Sequence, residues 1–412
     1  MWGLKDLECF GPVGNELSSV QKAALALFKA GLTGNACTLP ADPDWSQIHQ
    51  IALDQGMMCV VYNAIKSSGI SVPSEILRTF QAESLATIRS DRLQINEINA
   101  LFGEFEAKEI DYLPLKGIDY KALYPKPEYR WMADADIYFR KEQYQEISKI
   151  LEARGFVFDC ESDHEYIWEK PGVLKLELHK VMTDPSYQIY ISRFKDGFEM
   201  AERVGNTHRY RFGATDQLVY ATAHFTKHYM SICPNVRNLL DMYYLSKDPK
   251  VDQKKLDEML DGLRLKKLYS YAVKAVDCLL NDRPFDENCL MILNRTLTNS
   301  AEFNEKRKYF FIAASMNKGG SELSSKSKNK TLIYRLFPPV LIMKYKYPVL
   351  RKAPVLLPFC WIHRAFEGVF FKHKLVNVFM KEYKESPDQV RAYVEEMEKL
   401  GLEEWVERVD LR

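Results

Sequence analysis

Two aspartates lie two residues apart in the segment 132–139. Asp134 and Asp136 alternate there with apolar residues, which is the pattern of a strand with one buried face. Both carboxylates then point to the same face, where their mutual repulsion raises the free energy of ionising both. A divalent cation between them removes this cost, and hard oxygen ligands suit Mg²⁺. The segment therefore predicts a metal-binding strand, with Mg²⁺ or Mn²⁺ as the expected cofactor.

A third carboxylate occurs in the alternating segment 173–180. Its leucines face one side, and Lys175, Glu177 and His179 face the other. We expect this strand to lie beside the first, so that Glu177 reaches the same pocket as the aspartates. Three carboxylates on adjacent strands are what a two-metal phosphoryl-transfer site requires. Asp134, Asp136 and Glu177 are therefore the predicted catalytic and metal-binding residues, although an exposed polar residue would also fit the position of Glu177.

Three residues before the aspartates could bind phosphate. Gly117 follows a short strand and lets backbone N–H groups approach an anion, and Lys116 offers a point charge. Arg130 lies four residues before Asp134 and could bind a phosphate oxygen with two hydrogen bonds. The alternatives are a solvated lysine at a turn and an arginine paired with a nearby acid such as Glu128. Lys116, Gly117 and Arg130 are the predicted nucleotide-binding residues.

Helical periodicity dominates the chain on both sides of this region. Apolar residues recur at helical spacing over 15–32, 45–68, 74–108, 215–230, 235–247, 253–262, 265–280 and 301–316. Between them, the order strand, helix, strand, helix, strands describes a small mixed sheet. We predict an α+β fold whose small mixed β-sheet core is flanked by N-terminal and C-terminal α-helical regions. The predicted divisions are an N-terminal helical region 1–109, an α/β core 110–200, a helical domain 201–317 and a basic, aromatic-rich region 318–412 that begins with a linker at 318–330.

The order of several motifs resembles the uncharacterised nucleotidyltransferase family of bacterial proteins, a branch of the polymerase-β-like superfamily. These motifs are LKG, LYP, Arg130, DADIYF, RGF, His164 and LELHK. The resemblance extends from the N-terminal helices to about residue 250. It implies a nucleotidyltransferase core in which Asp134 and Asp136 fill the paired-acid motif and Glu177 the third-acid position. Gly117 stands for the glycine of the superfamily's Gly-Ser turn, but Ile118 follows it in place of the serine.

Histidines form a further group of candidate residues. His224 and His228 fall on one face of a helix, and Arg237 and Asp241 share a face of the next. The resembled family has a histidine helix and an arginine–aspartate pair at this place. HFTKH lacks the glutamate of HExxH, which excludes a zinc protease site. We predict either a buried polar network or residues that face the nucleotide or the acceptor. His179 could orient a metal-bound carboxylate or fill a polar gap in the core, and His164 is a weaker candidate for a supporting or acceptor-side role.

Bulk composition excludes several classes of protein. The net charge is +1, so the chain as a whole does not attract nucleic acid or membranes. Its eight cysteines include no CxxC pair, which argues against a zinc ribbon and fits a reducing compartment. Because neither a signal peptide nor an apolar run of about 20 residues occurs, we expect a cytoplasmic protein, with peripheral membrane contact as the alternative.

One segment departs from this balance. Residues 318–374 contain twelve lysines and arginines against two glutamates, a local charge of +10, with aromatic residues between them. Such a segment can be a solvated face, lie on an anionic membrane or bind nucleic acid, and its composition leaves all three open.

These residues predict a metal-dependent nucleotidyltransferase that releases pyrophosphate. A nucleoside triphosphate, such as ATP, is the expected substrate, and the acceptor is an unidentified small molecule, sugar or protein. One alternative is a degenerate protein that binds a nucleotide or a partner without turnover. Another is a membrane-surface accessory protein of cell-envelope assembly.

Overall fold

The computed structural model describes residues 16–162, 164–183, 189, 193–194, 196–232, 234–298, 337, 340, 343, 347–371 and 387–407. The predicted helix 301–316 and the predicted linker 318–330 lie outside these residues. Within the described residues, none of the helices is both long and apolar enough to cross a bilayer.

Four helices precede the sheet: α1 (Ser19–Thr33), α2 (Trp45–Asp54), α3 (Met58–Ser68) and α4 (Ser74–Ala107). A capping box of Ser18 and Gln21 starts α1 by satisfying free backbone N–H groups. The segment 45–68, predicted as one helical stretch, is two helices because Gly56 has a φ of +63°. A Cβ atom at Gly56 would also lie 2.8 Å from Nε of Arg237, so this turn accepts only glycine without rearrangement.

The sheet contains β1 (Tyr112–Leu115), β2 (Asp134–Phe139), β3 (Val157–Glu161), β4 (Glu165–Lys170) and β5 (Leu174–His179). Its strand order is β1-β2-β5-β4-β3. Only the central pair, β2 and β5, is parallel among these neighbours. The mixed sheet flanked by helices confirms the predicted α+β fold class.

Two short helices belong to the sheet region: α5 (Gly117–Tyr120), which follows β1, and α6 (Tyr144–Ala153), which links β2 to β3. One sheet face packs against α4 and α6 in a core that includes Phe105, Ile147, Leu151, Ile137 and Leu176. The alternation of β2 and β5 therefore has a physical cause. Their apolar side chains fill this core, and their polar side chains are left for the opposite face.

Helices cover the other face of the sheet. After α7 (Gly197–Met200) and a small hairpin of β6 (Ala201–Arg203) and β7 (Tyr210–Phe212) come α8 (Ala214–Ser231), α9 (Val236–Ser246), α10 (Gln253–Gly262), α11 (Lys266–Leu280) and α12 (Glu287–Leu297). These helices share one hydrophobic core with α1–α3, because Phe28, Val61, Tyr229 and Leu240 belong to the same buried cluster. Further along are α13 (Leu357–Phe371), α14 (Pro387–Lys399) and α15 (Glu403–Glu407).

Candidate nucleotidyl-transfer site

The acidic residues of β2 and β5 meet across the parallel pair of strands. Asp136 lies opposite Glu177 in the register, and Asp134 lies opposite Lys175. The expectation that these two strands are neighbours is confirmed. Because both strands bury their apolar residues in the core with α4 and α6, their acidic side chains emerge together on the other face.

A histidine joins the acids in the tightest group of potential metal ligands. Ligand atoms of Asp136, Glu177 and His179 all lie within 4.8 Å of one another. Asp134 is not part of this group in the described portion of the chain, although it lines the same cavity. The predicted set of three carboxylates thus appears as two carboxylates and one imidazole, with Asp134 beside them. Two oxygen donors and one nitrogen donor can hold a divalent metal ion.

The electrostatics of the aspartates also suit a cation. Burial, together with the neighbouring charges of Asp136 and Glu177, raises the pKa of Asp134 to about 6. Burial would raise the pKa of Asp136 as well, but the ammonium of Lys116 and a hydrogen bond from His179 hold it well below its usual range. The cluster therefore contains more negative charge than its own residues neutralise at neutral pH. A divalent cation would stabilise the ionised form of Asp134.

Lys116 has an unusual backbone that directs its side chain into the acidic cluster. Its φ of +51° and ψ of −115° are rare for a residue with a Cβ atom and cost about 1–3 kcal/mol. Its Nζ atom donates to Oδ1 of Asp136 at 2.7 Å, and the same oxygen accepts from Nε2 of His179 at 2.8 Å. The lysine that the sequence assigns to phosphate is thus bound to an acid of the predicted metal site.

Arg130 is buried and held by an acid far away in the sequence. Its Nη2 and Nε atoms donate to the two carboxylate oxygens of Asp241 at 2.7 and 3.2 Å. Tyr124 donates its hydroxyl to the same carboxylate at 2.8 Å. Two of the guanidinium nitrogens are therefore occupied, and the pair with Glu128 considered from sequence is not the one formed. The third nitrogen, Nη1, lies 2.8 Å from where a Cβ atom of Gly117 would be, so glycine makes room for this arginine.

One cavity of about 370 Å³ connects these groups. All twelve residues singled out from the sequence line it, and all lie within residues 116–241: Lys116, Gly117, Arg130, Asp134, Asp136, His164, Glu177, His179, His224, His228, Arg237 and Asp241. The sheet supplies the acidic wall, and α8 and α9 supply the facing wall. The structure brings the residues together, while the individual roles assigned to them remain predictions.

Comparison with protein families matches residues 41–281 to a family described as an uncharacterised nucleotidyltransferase. The chain belongs to this family. The matched range contains the whole sheet and every residue that lines the cavity. Membership of this nucleotidyltransferase family supports a transferase function in general and confirms the resemblance noted in the sequence. Comparison with curated proteins found no match, and neither did comparison with solved structures.

Arg237 and Asp241 lie four residues apart on α9 and have different partners. The guanidinium of Arg237 donates to the backbone carbonyls of Gln55 and Trp131 and lies 4.9 Å from the centre of the Trp131 indole ring. Asp241 binds Arg130 instead. The two residues therefore connect α9 to separate parts of the core, as a buried polar network would. Both also line the cavity, so the nucleotide- or acceptor-facing role stays a prediction.

His224 and His228 contact each other on α8, with 3.0 Å between their Nε2 atoms. Burial and the charge of Lys116 lower the pKa of His224 well below its usual value, and burial lowers that of His228 to about 3. Both imidazoles are therefore neutral at pH 7, so that one donates and the other accepts. His164 lies at the sheet edge, where its Nε2 atom is 3.3 Å from Glu165.

Several residues that line the cavity have no role predicted from the sequence. Glu165 on β4 lies opposite His179, and its carboxylate is 3.8 Å from Nδ1 of that ring. Lys227, Asn235 and Asn238 lie on the helical wall. The position of Glu165 at the start of a strand, directly after His164, was a usable signal. The three helical residues carried none, because polar residues on a helix are commonly solvated.

Proposed function

We propose that this protein transfers a nucleoside monophosphate from a nucleoside triphosphate to a hydroxyl-bearing acceptor with the aid of a divalent metal ion. In this reaction the acceptor hydroxyl loses its proton to solvent and its oxygen bonds to the α-phosphorus. The bond between the α-phosphorus and the oxygen that bridges it to the β-phosphorus breaks, and pyrophosphate leaves with that oxygen. The observation that carries the proposal is the convergence of Asp136, Glu177 and His179 on one wall of the cavity in a member of a nucleotidyltransferase family.

Asp136, Glu177 and His179 would hold the metal, with Asp134 beside them. When bound, the ion supplies a Lewis acid that stabilises charge on the transferring phosphoryl group. In the structure Nε2 of His179 donates to Asp136, so the ring proton must move to Nδ1 before Nε2 can offer its lone pair to a metal. The Glu165 carboxylate lies 3.8 Å from Nδ1, on that side of the ring, and would accept this proton in a hydrogen bond after a small approach, which is the usual support of a metal-binding histidine.

A direct test is incubation of the protein with each α-³²P-labelled nucleoside triphosphate, Mg²⁺ or Mn²⁺, and cell extract. We expect one labelled adduct together with released pyrophosphate. Nucleotide binding in calorimetric titration without any pyrophosphate release, with every nucleotide and metal tried, would contradict transfer. It would favour the alternative of a nucleotide-binding protein without turnover, which the missing serine after Gly117 supports.

The imidazole in the proposed ligand set leads to a prediction about the metal. Mg²⁺ prefers oxygen ligands, whereas Mn²⁺ also accepts imidazole nitrogen. We expect half-maximal pyrophosphate release at a Mn²⁺ concentration at least about tenfold below that for Mg²⁺, the equivalent of about 1.4 kcal/mol. In His179→Asn this ratio is expected to shrink, because the nitrogen donor is lost. An unchanged ratio in the variant would exclude His179 as a ligand.

Lysines neutralise two of the proposed metal ligands. Lys116 binds Asp136, and Lys175 binds Glu177 through Nζ and Oε1 at 2.7 Å. We propose that both ammonium groups leave the carboxylates when a metal–nucleotide complex binds and transfer to its phosphates. Lys116 is the better placed of the two, because its side chain is 16% exposed against 43% for Lys175. An ion pair is less screened by water when it is buried.

If the ammonium group of Lys116 moves from Asp136 to a phosphate, its removal should change the affinities for metal and for nucleotide in opposite directions. Lys116→Met is expected to bind Mn²⁺ alone about tenfold more tightly, because a charged hydrogen bond that competes for Asp136 is lost. The same variant is expected to bind a non-hydrolysable nucleoside triphosphate about tenfold more weakly at saturating Mn²⁺. Electron paramagnetic resonance of Mn²⁺ and calorimetry measure the two quantities. Lys141→Met, an exposed lysine after β2, is the matched control; weakening of both affinities in Lys116→Met would show a merely structural role.

A further inference from the structure

An exposed apolar surface lies far along the chain from the cavity residues. Val355, Phe359 and Ile362 are 81%, 68% and 58% exposed. The first two are the most exposed large apolar side chains among the described residues. Phe359 and Ile362 are three residues apart on α13 and share a face, and Val355 lies in the 3₁₀ turn that precedes the helix. We call these three residues the apolar face.

The other side of α13 is packed, which fixes the direction of the apolar face. Cys360 is buried in a small cluster with Met343 and Leu350. The ring of Phe337 lies 5.2 Å from that of Trp361 in an edge-to-face contact. Since these contacts hold one side of the helix, the apolar face is turned outward by the packing. Single exposed apolar residues are ordinary, but two on one helix face with a third in the turn directly before the helix indicate an interaction surface.

The chain around the apolar face is positively charged. Residues 323–366 contain nine lysines and arginines and no aspartate or glutamate. Lys352, three residues before Val355, is exposed. A partner that accepts these apolar side chains and carries negative charge near Lys352 therefore fits this part of the chain. The surface of an anionic bilayer has both properties, because acyl chains lie directly beneath acidic headgroups.

We infer that the apolar face inserts into the headgroup region of an anionic membrane, with the exposed Lys352 on the lipid phosphates. Nucleic acid fits less well, because single strands stack on exposed aromatic rings and two of the three residues of the apolar face are aliphatic. The attachment is peripheral, in keeping with the absence of a membrane-crossing helix among the described residues. It is independent of the proposed transfer reaction and brings the protein to a surface where an acceptor can reside.

Flotation of the full chain with vesicles tests this inference. We expect binding to vesicles of phosphatidylcholine and phosphatidylglycerol in a 3:1 ratio, and little binding to phosphatidylcholine alone. Val355→Ser/Phe359→Ser/Ile362→Ser is expected to weaken binding about tenfold or more, because the buried apolar area is lost. Lys352→Gln is expected to weaken it about fivefold, and 0.5 M NaCl to weaken it for the wild type.

The chain offers a matched control for the triple variant. Leu85 and Val157 are exposed apolar residues at 57% and 60%, and neither is near residue 355 in the sequence. Leu85→Ser/Val157→Ser is expected to float like the wild type. Equal loss in the control, or equal binding to neutral vesicles, would overturn the inference. The inference would also be overturned if analytical ultracentrifugation showed a wild-type dimer and a monomeric triple variant. The same holds if the triple variant lost binding to a labelled oligonucleotide but kept binding to vesicles.

Discussion

Asp136→Asn is expected to lower nucleotidyl transfer roughly 10³-fold or more. A metal ion contributes several kcal/mol to the stabilisation of transition-state charge, and about 1.4 kcal/mol corresponds to a tenfold change in rate. Asp136 belongs to the group of potential ligands, accepts from both Lys116 and His179, and is buried. Asparagine has nearly the same shape but no charge. Loss of the rate without loss of the fold is therefore expected, measured as pyrophosphate release and by circular dichroism.

Asp159→Asn makes the same chemical change on the outer strand of the same sheet. Asp159 is exposed and lies on β3, outside the cavity. This control is expected to keep the wild-type rate. Mn²⁺ binding adds a second measurement, because Asp136→Asn should weaken it and Asp159→Asn should not. More than a tenth of the wild-type rate in Asp136→Asn would reject Asp136 as a metal ligand.

Asp241→Ala is expected to reduce the free energy of unfolding by about 3–5 kcal/mol. Removing one partner of a buried ion pair leaves the other charge uncompensated, and this costs more than the pair itself contributes. The side chains of Arg130 and Asp241 are only 8% and 4% exposed. The variant leaves the Arg130 guanidinium uncompensated in the core and also removes one of two acceptors of the Tyr124 hydroxyl, the other being the backbone carbonyl of Arg237. Urea unfolding, followed by tryptophan fluorescence, measures the loss.

An exposed ion pair provides the comparison for this effect. Lys266 and Asp257 are 3.0 Å apart with side chains 53% and 59% exposed. Because solvent and salt screen such a pair, Asp257→Ala is expected to change the free energy of unfolding by less than about 1 kcal/mol. A change of the same small size in Asp241→Ala would show that the pair is open to water. In that case Arg130 would be available to phosphate, as the sequence predicted.

The sequence was sufficient to identify the two carboxylate strands and the fold class. Strand alternation places Asp134 and Asp136 on one face, because a side chain on a strand points opposite to its neighbours whatever the tertiary context. The same local rule gave the apolar and polar faces of β5. Helical periodicity predicted the flanking helices, and family resemblance connected these elements to a known chemistry. Such features depend on residues close together in the chain.

Only the tertiary structure decided which residues the acids meet. Alternation says which way Asp136 points, but the parallel register with β5 determines that Glu177 lies opposite it and that His179 is near enough to be a ligand. Arg130 donates to Asp241, which lies 111 residues further along the chain, and no local sequence pattern predicts such a contact. The physical reason is that partner choice for a buried charge is set by the packing of whole elements, whereas the direction of a side chain is set by the backbone of its own segment.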